Sequence, residues 1–108
     1  MAKLKKNLKV IVQDVDGKPL TMEEDKKATL ADMAKVGILS DTEKTKNLTG
    51  PQKFDRYILA VKLTSYINSE EEEVELTTEE LRIIESSIGE GFNIRWAGAA
   101  LAILNEWP

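Results

Sequence analysis

The apolar positions of this chain fall first into alternation and then into helical spacing. Leu8, Val10, Val12 and Asp14 share one face of an extended segment, with Lys9, Ile11 and Gln13 on the other, which predicts a strand of period two. Asp16 and Gly17 supply a hairpin turn. Residues 18–21 return as a short edge strand, because Pro19 has no amide to give to a ladder. Residues 22–27 are polar and read as a loop or a first helical turn. A first helix begins near Thr29: Leu30, Met33, Ala34 and Ile38 recur at helical spacing and Asp32 stands near the positive end. It ends around residues 38–40, with Gly37 a weak point. The polar stretch 40–50, anchored by Leu48 alone, predicts a surface loop.

The next helix, over residues 51–67, is expected to be the central one. Pro51 is preset for a first helical turn, and Thr49 or Gly50 can cap it. At about 100° per residue, Phe54, Tyr57, Ile58 and Val61 gather on one side and Leu59, Leu63, Tyr66 and Ile67 on much of the other. Two apolar sides predict neighbours on both flanks. Asn68 and Ser69 end it, and the like charges of residues 70–73 predict a solvated linker. Val74 and Leu76 fit a short extended segment docked on the hairpin. Thr77 and Glu80 then stand in a capping-box relation, with Leu76 and Leu81 as the hydrophobic staple, so a third helix starts here and stops near Gly89 or Gly91. A fourth, over about residues 93–106, points Ile94, Ala97, Leu101 and Leu104 inward. Trp96, Ile103 and Trp107 gather on an adjoining face, and Gly98 and Ala102 permit close helix approach. The fold class is therefore α+β, mainly α: an N-terminal β-hairpin followed by three to four packed helices. Residues 1–9 form a basic arm and residues 10–108 a single domain.

Composition narrows the chemistry. With no cysteine and no histidine among 108 residues, disulfides, thiolate metal sites and the commonest general base are excluded. No cofactor or metal is expected. Asp14, Asp16, Gly17 and Glu23 resemble part of a calcium loop, but with Gly17 at loop position six the first ligand position falls on Val12, which has no side-chain oxygen. There is no phosphate-binding loop or nucleophile elbow, and the carboxylates lie where capping and solvation explain them, so no enzyme is expected. Arg56, Tyr57, Arg95 and Trp96 are the candidate ligand-binding residues, since arginine and tyrosine beside apolar walls can hold an anion.

The net charge of −4 hides an asymmetry. Residues 1–9 carry four lysines and no acid, whereas residues 70–108 carry ten acids against two arginines. An acidic domain lacks the basic footprint that nucleic-acid binding needs. No apolar run reaches the length of a membrane span and no signal-type segment follows the N-terminal lysines, which predicts a cytoplasmic protein without a membrane partner.

The order of these signatures is Asp-Gly-Lys-Pro-Leu at residues 16–20, Thr-Leu at 29–30, Lys-Phe-Asp-Arg-Tyr-Ile-Leu-Ala-Val-Lys-Leu at 53–63 and Val-Glu-Leu-Thr-Thr-Glu-Glu-Leu at 74–81, then a final helix. This layout, spanning roughly residues 10–106, resembles small uncharacterised proteins of tailed bacteriophages and prophages. The resemblance implies a viral origin and no activity. The surplus apolar faces carry the functional expectation: a non-enzymatic, homo-oligomeric interaction protein, an assembly factor or an inhibitor of a host protein, with a host or phage protein as its expected partner and Trp96, Ile103, Trp107, Leu59, Leu63 and Tyr66 at the interface. A small-ligand binding or sequestering module with pockets at subunit boundaries is the alternative.

Overall fold

Residues 8–30 are held by a hydrogen-bonded junction more than by long strands. The computed structural model describes residues 3–23, 26–40 and 45–105. The hairpin turns at Gly17, whose φ of 79° suits glycine, and its amide donates to the Asp14 carbonyl at 2.9 Å. Asp14 Oδ1 accepts the amides of Asp16 and Lys18, so this carboxylate belongs to the turn. Gln13 then faces Pro19. The polar residues beyond are neither loop nor helical turn: Thr21–Glu23 (β2) pairs antiparallel with Lys26–Lys27 (β3) as a second hairpin. Three passes of chain meet beneath it in a closed ring. The Leu20 amide donates to the Val12 carbonyl, Val12 to Ala28 and Ala28 to Leu20, at 2.9, 2.9 and 2.7 Å, and all three side chains are buried. An irregular stretch can be buried this way because its backbone groups pair with one another.

The same junction prepares the first helix. In Leu30–Leu39 (α1), the four N-terminal amides have no partner within the helix. Here each has one. Leu30 donates to the Val10 carbonyl, Ala31 to the Leu8 carbonyl, Asp32 to Thr29 Oγ1 and Met33 to the Thr29 carbonyl. Asp32 reaches back to the Thr29 amide and completes a capping box.

The N-terminal segment is not a free arm. Lys3–Lys6 (β1) pairs antiparallel with Val74–Thr77 (β4), setting Lys5 opposite Glu75 and Leu4 opposite Leu76. Opposite charges stabilise such a cross-strand pair, so the lysine-rich start and the acidic segment form one two-stranded sheet. The extended segment at residues 74–77 therefore docks on the basic strand and not on the hairpin.

The remaining elements are Gly50–Ile67 (α2), Thr78–Gly91 (α3) and Ile94–Leu104 (α4), which complete an α+β fold dominated by four helices. Capping boxes Thr49/Gln52 and Thr77/Glu80 start α2 and α3, and Asn93 caps α4. The central helix is α1 and not α2: α2, α3 and α4 all pack against it. The physical reason is side-chain size. Ala31, Ala34 and Gly37 let neighbours approach α1 from several sides, and a Cβ added at Gly37 would stand 2.7 Å from the Ser87 carbonyl oxygen on α3. Gly37 is thus a crossing point instead of a weak point. Helix α2 buries only one side, through Leu59, Ala60, Leu63 and Tyr66.

Candidate functional site

The residues expected to form one ligand pocket are dispersed. Arg56 and Tyr57 line a cleft of about 210 Å³ between α2 and the end of α1, with Ser40, Thr45 and Lys53. Arg56 Nη1 is buried there without a hydrogen-bond partner among the described residues. Arg95 lines a different groove, between α4 and residues 10–15. Trp96 lines a third recess with Met22, Gly91 and Asn93, and stacks on Phe92 with ring centroids 5.9 Å apart and planes 1° from parallel. Among the described residues the four thus line three separate recesses.

The interface assignment also changes. Leu59, Leu63 and Tyr66 are core residues of their own chain and are closed to a partner. Trp96 and Ile103 are half-buried against the same core, and Trp107 lies outside the described residues. Helix α4 buries Ala97 and Leu104, both expected inward, together with Ala100, which lies between the two faces expected from the sequence. Trp96 and Ile103 border this line on one side, Leu101 and Ile94 on the other. Ile94, expected inward, is 92% exposed at the first helical position.

Tyr66 is the polar pivot of the β1–β4 end. Its hydroxyl donates to the Glu72 carbonyl at 2.6 Å and accepts the Leu8 amide at 3.0 Å. Lys9 Nζ sits 4.9 Å from the ring centroid and donates to the Ser69 carbonyl at 2.6 Å. Burial raises the Tyr66 pKa above its ordinary value, and the amides of Leu8 and Lys9 only partly oppose this. At the start of α3, Glu80 accepts the Thr77 amide and pairs with Lys62 of α2 at 3.0 Å. Burial pushes its carboxyl upward, but the Thr77 amide and Lys62 outweigh that and hold it below the ordinary range. Both networks hold the fold together.

Two apolar surfaces are left open. On α2, Phe54 and Tyr57 are each 60% exposed and Ile58 and Val61 each 49%, at spacings of three and four that make one continuous stripe. The sequence showed this side as apolar, but not that it would face outward. The second surface is the groove of about 810 Å³ beside α4, whose wall includes the large apolar side chains of Val10, Ile11, Val15, Ile94 and Ile103. No period marked it, because its two walls come from opposite ends of the chain. Glu70 to Glu73 with Glu75 and Lys5 surround an open, polar recess near the β1–β4 sheet. Among the described residues, no group of three or more acidic side chains is placed to hold a metal ion. No helix there is long and apolar enough to cross a membrane.

Comparison with protein-family models, curated proteins and solved structures gives no match.

Proposed function

We propose that the protein is a non-enzymatic interaction protein that self-associates, with the α2 stripe of Phe54, Tyr57, Ile58 and Val61 at the centre of the contact. The observation that carries this reading is the stripe itself: four large side chains, two of them aromatic, each 49% exposed or more on one helix face. Aromatic anchors surrounded by polar residues are typical of interface centres, and such a patch left in water invites aggregation. Lys53 and Asp55 at its borders supply a polar rim. With the layout resemblance to phage proteins, the role that fits is an assembly factor or an inhibitor that occupies a host protein.

Sedimentation velocity over a wide concentration range tests this. The wild type is expected to be oligomeric at tens of micromolar. The double variant Tyr57→Ser, Ile58→Ser should be a folded monomer, because neither side chain belongs to the core. A monomeric wild type, or a variant that keeps the same oligomer, would overturn the reading.

One observation favours the alternative of a small-ligand module: the buried, unpartnered Arg56 Nη1 beside Lys53 and Tyr57. An anion would satisfy it. A rise in melting temperature with inorganic phosphate or citrate, abolished by Arg56→Met, would support that module.

A further inference from the structure

The segment of residues 10–15 has one used edge and one open edge. All its ladder bonds leave from the same side: the Val10 carbonyl and Val12 amide meet residues 28–30, and the Val12 carbonyl and Asp14 amide meet residues 18–20. In an extended chain the backbone groups of alternate residues point to opposite edges. The amides and carbonyls of Ile11 and Gln13 therefore face the other way, and they make no hydrogen bond with the described residues. Both residues line the groove against α4.

We propose that this groove binds an extended apolar peptide segment of another protein, which adds as a strand to the open edge of residues 10–15 and places a carboxylate beside Arg95. The open amides and carbonyls define an occupant with an extended main chain, since only a backbone offers donors and acceptors at that repeat. The apolar walls define its side chains. Val15 and Ile94, 87% and 92% exposed, stand at the mouth, while Gly98 and Ala102 leave the α4 wall shallow, with nothing within 4 Å of a Cβ placed at Gly98. Charge completes the description. Arg95 makes no ion pair among the described residues, and Asp14, which lines the same groove, gives its Oδ1 to two amides of its own turn. A carboxylate on the peptide, from an acidic side chain or a free C-terminus, would meet a guanidinium not already paired.

A second copy of this chain fits less well through β1, which is lysine-rich and would set like charge beside Arg95, and the acidic β4 is already paired with β1. This inference stands apart from the self-association reading, because the α2 stripe shares no residue with the groove.

The test is fluorescence anisotropy with the full chain and two labelled probes: the amidated peptide Val-Thr-Val-Ile-Asp and the free-acid peptide Val-Thr-Val-Ile. Saturable binding by at least one is expected, and which one binds assigns the carboxylate to a side chain or to the chain end. Gln13→Pro removes only an outward amide that has no partner, and should weaken binding about tenfold or more without unfolding the chain. If that variant fails to fold, Gly98→Leu replaces it, filling the groove from the α4 wall. Arg95→Glu should weaken both carboxylate probes and spare the amidated analogue ending in lysine. Ile58→Ser should leave binding unchanged. Failure of wild type to bind either probe would overturn the proposal, as would equal binding by Gln13→Pro and Gly98→Leu. A dimer that Gln13→Pro dissociates, with no peptide binding, would instead assign the edge to a second copy and also overturn it.

Discussion

The β1–β4 end of the molecule and the groove beside α4 are built from the same material and finished differently. Both join an N-terminal extended segment to elements from the second half of the chain. At the first, the Tyr66 hydroxyl takes one amide and one carbonyl, Lys9 covers the ring, and Lys5 lies opposite Glu75. At the second, the edge of Ile11 and Gln13 bonds to nothing in the described chain, and Val15 and Ile94 lie open. A buried backbone group without a partner is costly, so an edge of this kind persists only where water or another chain can reach it. The difference separates what holds this fold together from what is free to recognise something else.

The comparison is broken most severely by adding one methyl group where the structure is closed. Gly37→Ala forces the Cβ against backbone at 2.7 Å, and overpacking of this kind should outweigh alanine's better helix propensity, costing about 2–3 kcal/mol net. A chemical melt should show the midpoint fall with the slope unchanged. An unchanged midpoint would mean that α1 and α3 do not cross so closely.

Tyr66→Phe comes next. It leaves the Leu8 amide and the Glu72 carbonyl without their shared hydroxyl and should cost about 2 kcal/mol, lowering the melting temperature by about 10 °C. Because burial raises the pKa of Tyr66, its folded form holds the proton more tightly than the unfolded chain. That contribution is complete below pH 10 and is lost as pH rises through the folded value. Wild type and variant should therefore converge in stability at strongly alkaline pH; a constant gap would assign the effect to packing alone.

Glu80 gives a smaller, acid-side test. Its folded pKa lies below the ordinary 4.5, so its contribution is present above that value and lost as pH falls through the folded one. Glu80→Gln should lower the melting temperature at neutral pH and flatten its fall below about pH 4.5. Parallel curves for wild type and variant would remove the Lys62–Glu80 pair from the account. The smallest effect should have the opposite sign. Gly98→Ala, on the open wall, meets nothing and should gain about 0.5–1 kcal/mol from helix propensity, read as a small rise in melting temperature.

Much of the fold was legible because the signals are local. Thr29, Thr49, Thr77 and Asn93 each start a helix where turn and cap chemistry places it, and Asp16 and Gly17 turn the hairpin. Such features depend on neighbours within a few residues, which the sequence alone contains. The candidate surfaces were less legible. Both apolar sides of α2 were visible in its spacing, yet which would be buried depended on α1 being slim enough to take neighbours from several directions. Lys3 to Lys6 and residues 74–77 were visible as opposite charges, yet their pairing spans about two thirds of the chain and is fixed only when Tyr66 holds both ends together. The open edge at Ile11 and Gln13 could not be read at all, because backbone hydrogen bonds carry no residue-specific mark. Local chemistry therefore set where each element begins and how it is capped, whereas tertiary packing decided which faces close and which stay open, since burial is settled by whatever the folded chain brings alongside.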